Sequence, residues 1–298
     1  MDITHKIHEM GNQLDRGIFP RVMNRGLVKP DDPSVLSIVP ATEESHEKRS
    51  GETRPTTGSG AGAASGKRAA SGSWSSSAAA SVVGTSLEEQ YRKEVATVLQ
   101  VYPGAKVWAQ AEGIWLLTES LVLPGLWQKA VFLTGVPFDG RRIVRSWGFW
   151  KGIPLRHPVW IGPRHTNCPD GSICAFEADD GAWTIGNPLV TLLDIYTVWA
   201  FRHLHLQVLQ RWPGPQSARH AYERVTEFQP TELCGCNSGK LYRDCCQQMD
   251  LAGDRCHQAM NFFNAGFGVR KVPDAVVNLI RTENSPPEIG SLLPFLRV

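Results

Sequence analysis

The chain has 298 residues, is 42% hydrophobic and carries a formal net charge of +2. That is enough apolar content for one or two packed domains with appendages. So small a charge gives no argument for nucleic-acid binding, and no unbroken apolar run of eighteen residues suggests a membrane span.

The N-terminal stretch MDITHKIHEMGNQLDRG lacks the basic and apolar regions of a secretory signal. With seven cysteines, the expectation is a reducing cytoplasm, where thiols serve metal binding or catalysis. In residues 1–40, Ile3, Ile7, Met10, Leu14 and Ile18 recur at helical spacing. They predict a short amphipathic segment, either marginal or a docking peptide. Twenty-three of the 34 residues in 51–84 are Gly, Ser or Ala. Such a composition cannot bury enough apolar surface to offset its ordering entropy, so 41–84 reads as a flexible linker.

Order is predicted to begin at Ser86, where SLEE forms a capping box with Glu89. Leu87, Tyr91, Val95, Val98 and Leu99 then mark one apolar helical face. Strand-like runs follow at 106–123 (with a break near Gly113), 128–138, 142–150 and 157–162. A helix followed by antiparallel strands argues an α+β fold. Asn187 and Pro188 suit the start of a helix over 189–209 that is apolar nearly all round and hence buried. Most of the ten tryptophans fall between Trp108 and Trp212 and are read as core. Arg141, Arg142 and Arg145 are read as a solvated face or a basic patch for a partner. His203 and His205 are read as packed histidines.

The segment CGCNSGKLYRDCC places Cys234, Cys236, Cys245 and Cys246 at C-x-C, eight residues, then C-C. Four thiolates complete a tetrahedral zinc with no open position, the pattern of a structural site. Gly235 and Gly239 allow the tight backbone that close ligands need. Cys256 and His257 lie ten residues on as spare ligands. The stretch resembles the SEC-C motif, a small zinc module at the ends of many bacterial proteins. That resemblance implies a binding module with structural zinc. Residues 215–298 are expected to form it together with C-terminal helices.

The stretch RHTNCPDGSIC (164–174) leaves more open. His165, Cys168 and Cys174, with His157, could ligate zinc; Cys168 and Cys174 could pair; the cysteines could be inert. The remaining reading is a nucleophilic thiol with an asparagine amide to steady an oxyanion. His165-Thr166-Asn167, then Gly171-Ser172-Ile173-Cys174, then Trp183 and a buried helix resemble the ubiquitin-conjugating enzymes. Thr166 stands where that family has proline, and Asn167 lies one residue closer to the cysteine. The resemblance covers 85–214 and implies a UBC-like fold of helix, four-stranded meander, loop and helix. It implies Cys174 as thioester nucleophile, Asn167 as oxyanion donor and His165 as structural histidine. Asp179 and Asp180 would orient an incoming lysine or simply be solvated.

The function expected from these resemblances is a cysteine acyltransferase. It takes a ubiquitin-like protein from an activating enzyme and passes it to an amine on a target protein. The bacterial members it looks most like stand in phage-defence operons. A non-catalytic binding module and a cysteine hydrolase are the competing readings; the hydrolase needs a histidine general base.

Overall fold

The computed structural model describes residues 3–16, 22–23, 26–27, 86–121, 128–152, 158–176, 182–265 and 269–295. In chain order these form α1 (Ile3–Asp15), β1 (Val22–Met23), β2 (Gly26–Leu27), α2 (Leu87–Val101), β3 (Lys106–Ala109), β4 (Gly113–Glu119), β5 (Ala130–Pro137), β6 (Arg145–Trp150) and β7 (Val159–Trp160). Then come α3 (Leu189–Leu209), α4 (Ala221–Glu227), a 3-10 turn at Tyr242–Asp244, α5 (Gln247–Ala252), α6 (Arg255–Asn264), α7 (Asp274–Thr282) and α8 (Ile289–Leu292). The fold is α+β, as the pattern of elements predicts. Linker residues 41–84, Ile18, His157, Asp179 and Asp180 lie outside the described residues.

The centre is an antiparallel sheet in the order β3-β4-β5-β6-β7. It has five strands because the break at Gly113 is a hairpin: Ala109 pairs with Ile114 and Trp108 with Trp115. Side chains alternate across the pleat. Ile114, Leu116, Ala130, Phe132 and Trp150 enter one core, and Trp115, Leu117, Val131, Leu133, Trp147 and Phe149 the other. Both faces are therefore apolar, which explains why β4 and β5 read as nearly continuous hydrophobic runs. Gly135 sits where a Cβ would come within 2.8 Å of the Trp115 ring.

The first face packs on α2, α3 and α1. Ser86 caps α2, its hydroxyl accepting from Glu89 N (3.2 Å). Tyr91 and Val98 are fully buried, whereas Leu99 is 40% exposed. One residue past Val98 turns the side chain about 100° round the helix, out of the buried stripe. The start of α3 is not capped by Asn187. Glu94 of α2 reaches across to accept from Leu189 N (2.6 Å), so one helix supplies the other's missing acceptor. The α3 helix is buried on most sides, from Leu189 to His205, and ends with Gln210 in the left-handed region (φ 54°).

The N-terminal α1 docks on α3. Ile7 and Leu14 are buried, and Gly11 lies so close to His205 that a Cβ there would overlap its ring. Asp15 closes the contact by accepting from Arg211 (2.6 Å) and from Gly214 N (2.7 Å).

The second sheet face is covered by Val272, Val276, Leu279, Ile280, Ile289 and Leu293, from the far end of the chain. Trp115 anchors this cover by donating its Nε1–H to Pro287 O (2.9 Å). Helices α7 and α8 thus complete the sheet, whereas α6 packs toward α4 and α5, with Phe262 against Tyr222 and Gln258 donating to Asp250 O (2.8 Å). No helix among the described residues is long and apolar enough to cross a membrane.

Candidate functional site

Two loops carry the cysteines. The first, 161–174, leaves β7 and returns to the sheet at Ile173, whose N–H donates to Ser146 O of β6 (2.7 Å). It is pinned from every side by backbone carbonyls accepting from long side chains. Trp147 Nε1 donates to Asp170 O (2.9 Å), Trp160 Nε1 to Gly171 O (3.1 Å), Trp199 Nε1 to His165 O (2.9 Å) and Arg270 Nε to Thr166 O (3.0 Å). Arg145 donates to Ser172 Oγ (2.9 Å), so it is a partly buried brace and not a solvated basic face. Gly148 lets Trp199 lie against the sheet, since a Cβ there would meet its ring at 2.7 Å.

Cys174 ends this loop and is half-buried. Its N–H donates to His165 O (3.0 Å), so the histidine and the cysteine nine residues on belong to one closed turn. No disulfide joins Cys168 to Cys174, and the two fall in no metal-compatible group among the described residues.

Asn167 is inside the same turn. Its carboxamide donates to Ile173 O (2.9 Å) and to Ser172 Oγ (3.2 Å). One amide hydrogen therefore holds the backbone carbonyl that precedes Cys174, and the other the Ser172 hydroxyl. The His165 backbone is left-handed (φ 50°). Its ring stacks on Trp212, centroids 3.9 Å apart, and Nε2–H donates to Gln216 Oε1 (3.1 Å). Burial, then the Arg164 charge beside it, holds the imidazole well below the usual histidine range. It stays neutral and props the turn. His203 is packed between Trp199 and Trp212 and is pushed down to about 3 by burial. His205 donates Nδ1–H to Arg211 O (2.8 Å). Both are packed residues.

Cys168 lies on the other side of the turn, toward Arg270. That arginine forms ion pairs with Glu223 (2.6 Å) and Glu227 (2.7 Å) of α4. Burial pushes the Cys168 thiol up despite the nearby positive charge.

The second loop brings Cys234, Cys236, Cys245 and Cys246 together, with all four sulfurs within 4.8 Å of one another. Cys236 and Cys245 are 3.4 Å apart, and Cys245 and Cys246 3.7 Å. The edge of a tetrahedral zinc–thiolate site is about 3.8 Å for Zn–S bonds of about 2.3 Å. Four thiols this close cannot ionise together without a cation among them. The donor set fits a metal ion, compatible with zinc. Cys256 and His257 stand apart from the group on α6.

The backbone of the module shows why these residues make it. Gly235 passes Ala218 so closely that a Cβ would meet Ala218 N at 2.8 Å. Asn237 and Gly239 take the left-handed conformation (φ 61° and 70°), which turns the chain between the cysteine pairs. Behind the sulfurs, Arg224 and Asp250 form a buried two-point ion pair (2.8 and 2.7 Å), with Tyr242 Oη donating to the same carboxylate (3.1 Å).

The two loops meet at a buried ion pair. Arg164, 5% exposed, presents its fork to Glu232, which is fully buried. Glu232 also accepts from Trp212 N (2.6 Å) and Gln229 N (3.1 Å). Arg164, Gln216, Glu232 and Arg270 were invisible to motif reading, because the contacts that tie them into the 164–166 turn span 51 to 104 residues.

No family model, characterised protein or solved structure matches this chain. The functional reading therefore rests on the two loops themselves.

Proposed function

We propose that the chain is a UBC-like cysteine acyltransferase carrying a structural zinc module. The observation that supports it best is Cys174: only partly buried, outside the sulfur cluster, and at the end of a loop held through its backbone. Preorganised loops of this kind position a nucleophile. In the proposed reaction the Cys174 thiolate attacks the carbonyl carbon of a ubiquitin-like C-terminus held as a thioester on an activating enzyme. A new S–C bond forms, the old one breaks, and the activating enzyme's sulfur leaves as a thiolate that takes up the proton Cys174 lost on ionising. An amine on a target protein then attacks, forms an amide and returns the Cys174 thiol. The activating enzyme supplies the ATP chemistry. Cys234, Cys236, Cys245 and Cys246 hold the zinc, which stabilises the module and leaves no open position for substrate.

The hydrolase reading is disfavoured by His165. Base catalysis passes through an imidazolium, and burial beside Arg164 opposes that charge. A second reading, a non-catalytic binding module, is favoured by Asn167. Both of its amide hydrogens are engaged in the turn, so it must let go of Ile173 O before it can donate to an oxyanion.

Incubating the protein with a ubiquitin-like protein, its activating enzyme and ATP separates the two on a non-reducing gel. A thiol-sensitive adduct that Cys174→Ala abolishes supports transfer. No adduct with cognate partners and a folded chain supports the binding module. Under the transfer reading, Asn167→Ala slows discharge to an amine more than charging; equal slowing assigns Asn167 to holding the turn alone.

A further inference from the structure

A continuous run of hydrogen bonds links the sulfur cluster to Cys174. Cys234 N donates to Lys240 O (2.8 Å), and Leu233 pairs with Leu241, so the metal-binding loop fixes Leu233. Gln216 Nε2 donates to Leu233 O (2.8 Å). On its other end, Gln216 Oε1 accepts from Arg164 Nη2 (2.6 Å) and His165 Nε2 (3.1 Å). His165 O accepts from Cys174 N (3.0 Å). Glu232 runs in parallel, two residues before Cys234, with Arg164 on its carboxylate. Gln216, Arg164 and Glu232 are all buried. Burial keeps bulk solvent from replacing a broken contact at these three residues, so a shift at one end must be absorbed along the run.

We infer that Gln216 and Glu232 are positioning residues through which metal occupancy of the four-cysteine module sets the placement of Cys174. The metal module is then part of the thiol site, and loss of the metal loosens the turn that holds the sulfur. The inference deepens the transfer reading by adding its regulation, and rests on that reading for its biological meaning. Its physical content is independent of any acyl partner. Coupling runs both ways: whatever loosens the turn also weakens the metal site.

The test uses the full chain and reads the thiol directly. Iodoacetamide labelling under native conditions, resolved by peptide mass spectrometry, gives the rate at Cys174 relative to exposed Cys256. Stripping the metal with a chelator is expected to raise that ratio about fivefold or more, the lower range of measured couplings. Gln216→Met, which keeps the length and removes the hydrogen bonds, is expected to raise it similarly with metal still bound. Cobalt(II) as probe metal should show unchanged thiolate absorption bands in this variant, with affinity about fivefold weaker by chelator competition. Glu232→Gln should act in the same direction.

A labelling ratio unchanged by both stripping and Gln216→Met in a folded chain overturns the inference. If stripping unfolds the whole chain by near-ultraviolet circular dichroism, Gln216→Met with metal bound decides alone. A chain that shows the labelling shift but accepts no acyl group keeps the coupling and loses the transfer reading.

Discussion

The two cysteine loops solve opposite problems. In 234–246 the side chains converge: four sulfurs crowd within 4.8 Å, and glycine and left-handed residues bend the backbone to let them. In 161–174 the backbone is held and the sulfurs form no cluster. Tryptophan and arginine donors from β6, β7, α3 and the 270 region fix the carbonyls, while Cys174 and Cys168 belong to no metal-compatible group among the described residues. A metal loop needs its thiolates as the glue. A loop that displays a thiol must get its rigidity from elsewhere, and here it comes from groups distant in sequence.

Deleting one sulfur from each loop tests this contrast most sharply at the cluster. Cys234→Ala should abolish stoichiometric metal binding and unfold the module, since structural zinc sites in small domains contribute on the order of 10 kcal/mol. Metal content by mass spectrometry and a thermal melt check it. Next in size is the joint between the loops. Arg164→Leu leaves Glu232 charged and buried without its partner and should cost about 3–5 kcal/mol in urea unfolding.

Acid should act on the thiol loop before the cluster's hydrogen-bonded frame. His203 has a folded pKa of about 3, and His165 lies well below its ordinary value, each because of burial. The unfolded state binds those protons first, so stability is full above about pH 6.5. It then falls with decreasing pH by about 1.4 kcal/mol per unit for each histidine, down toward the folded pKa. A urea midpoint series from pH 7 to 4.5 should show this slope, and His203→Phe should flatten it.

A single brace is worth less. Trp199→Phe keeps the ring and removes the donor to His165 O, with an expected loss of about 1–2 kcal/mol. The smallest effect is the other half of the first comparison. Cys174→Ala should change stability by less than about 1 kcal/mol, as truncating a half-buried thiol removes little packed surface. A loss as large as that of Cys234→Ala would make Cys174 a packing residue.

What could be read from the sequence follows from range. The α2 cap at Ser86, the buried character of α3, the antiparallel run of strands and the four-cysteine spacing all depend on neighbours within about a dozen residues. The β3–β4 hairpin was read as one strand-like run with a break near Gly113, because only three residues separate the two strands. The cap of α3 by Glu94 and the Arg164–Glu232 pair depend on residues far apart, and single-sequence spacing carries no trace of them. The cover on the second sheet face was missed for a related reason. Val276, Leu279 and Ile280 mark an amphipathic helix, but nothing local says which surface it meets. For the turn at 165–174, the H-x-N and G-x-x-C spacing brought the right residues together, whereas the engagement of Asn167 with Ile173 O is a matter of geometry alone.

That cover also sets an order of events during synthesis. The ribosome completes β3–β7 more than a hundred residues before it makes the segment from Val272 to Leu293. Until that segment emerges, Trp115, Leu133, Trp147 and Phe149 lack the cover they pack against. The nascent chain therefore carries a bare aromatic surface over that interval, and its sheet can mature only once α7 and α8 have been released.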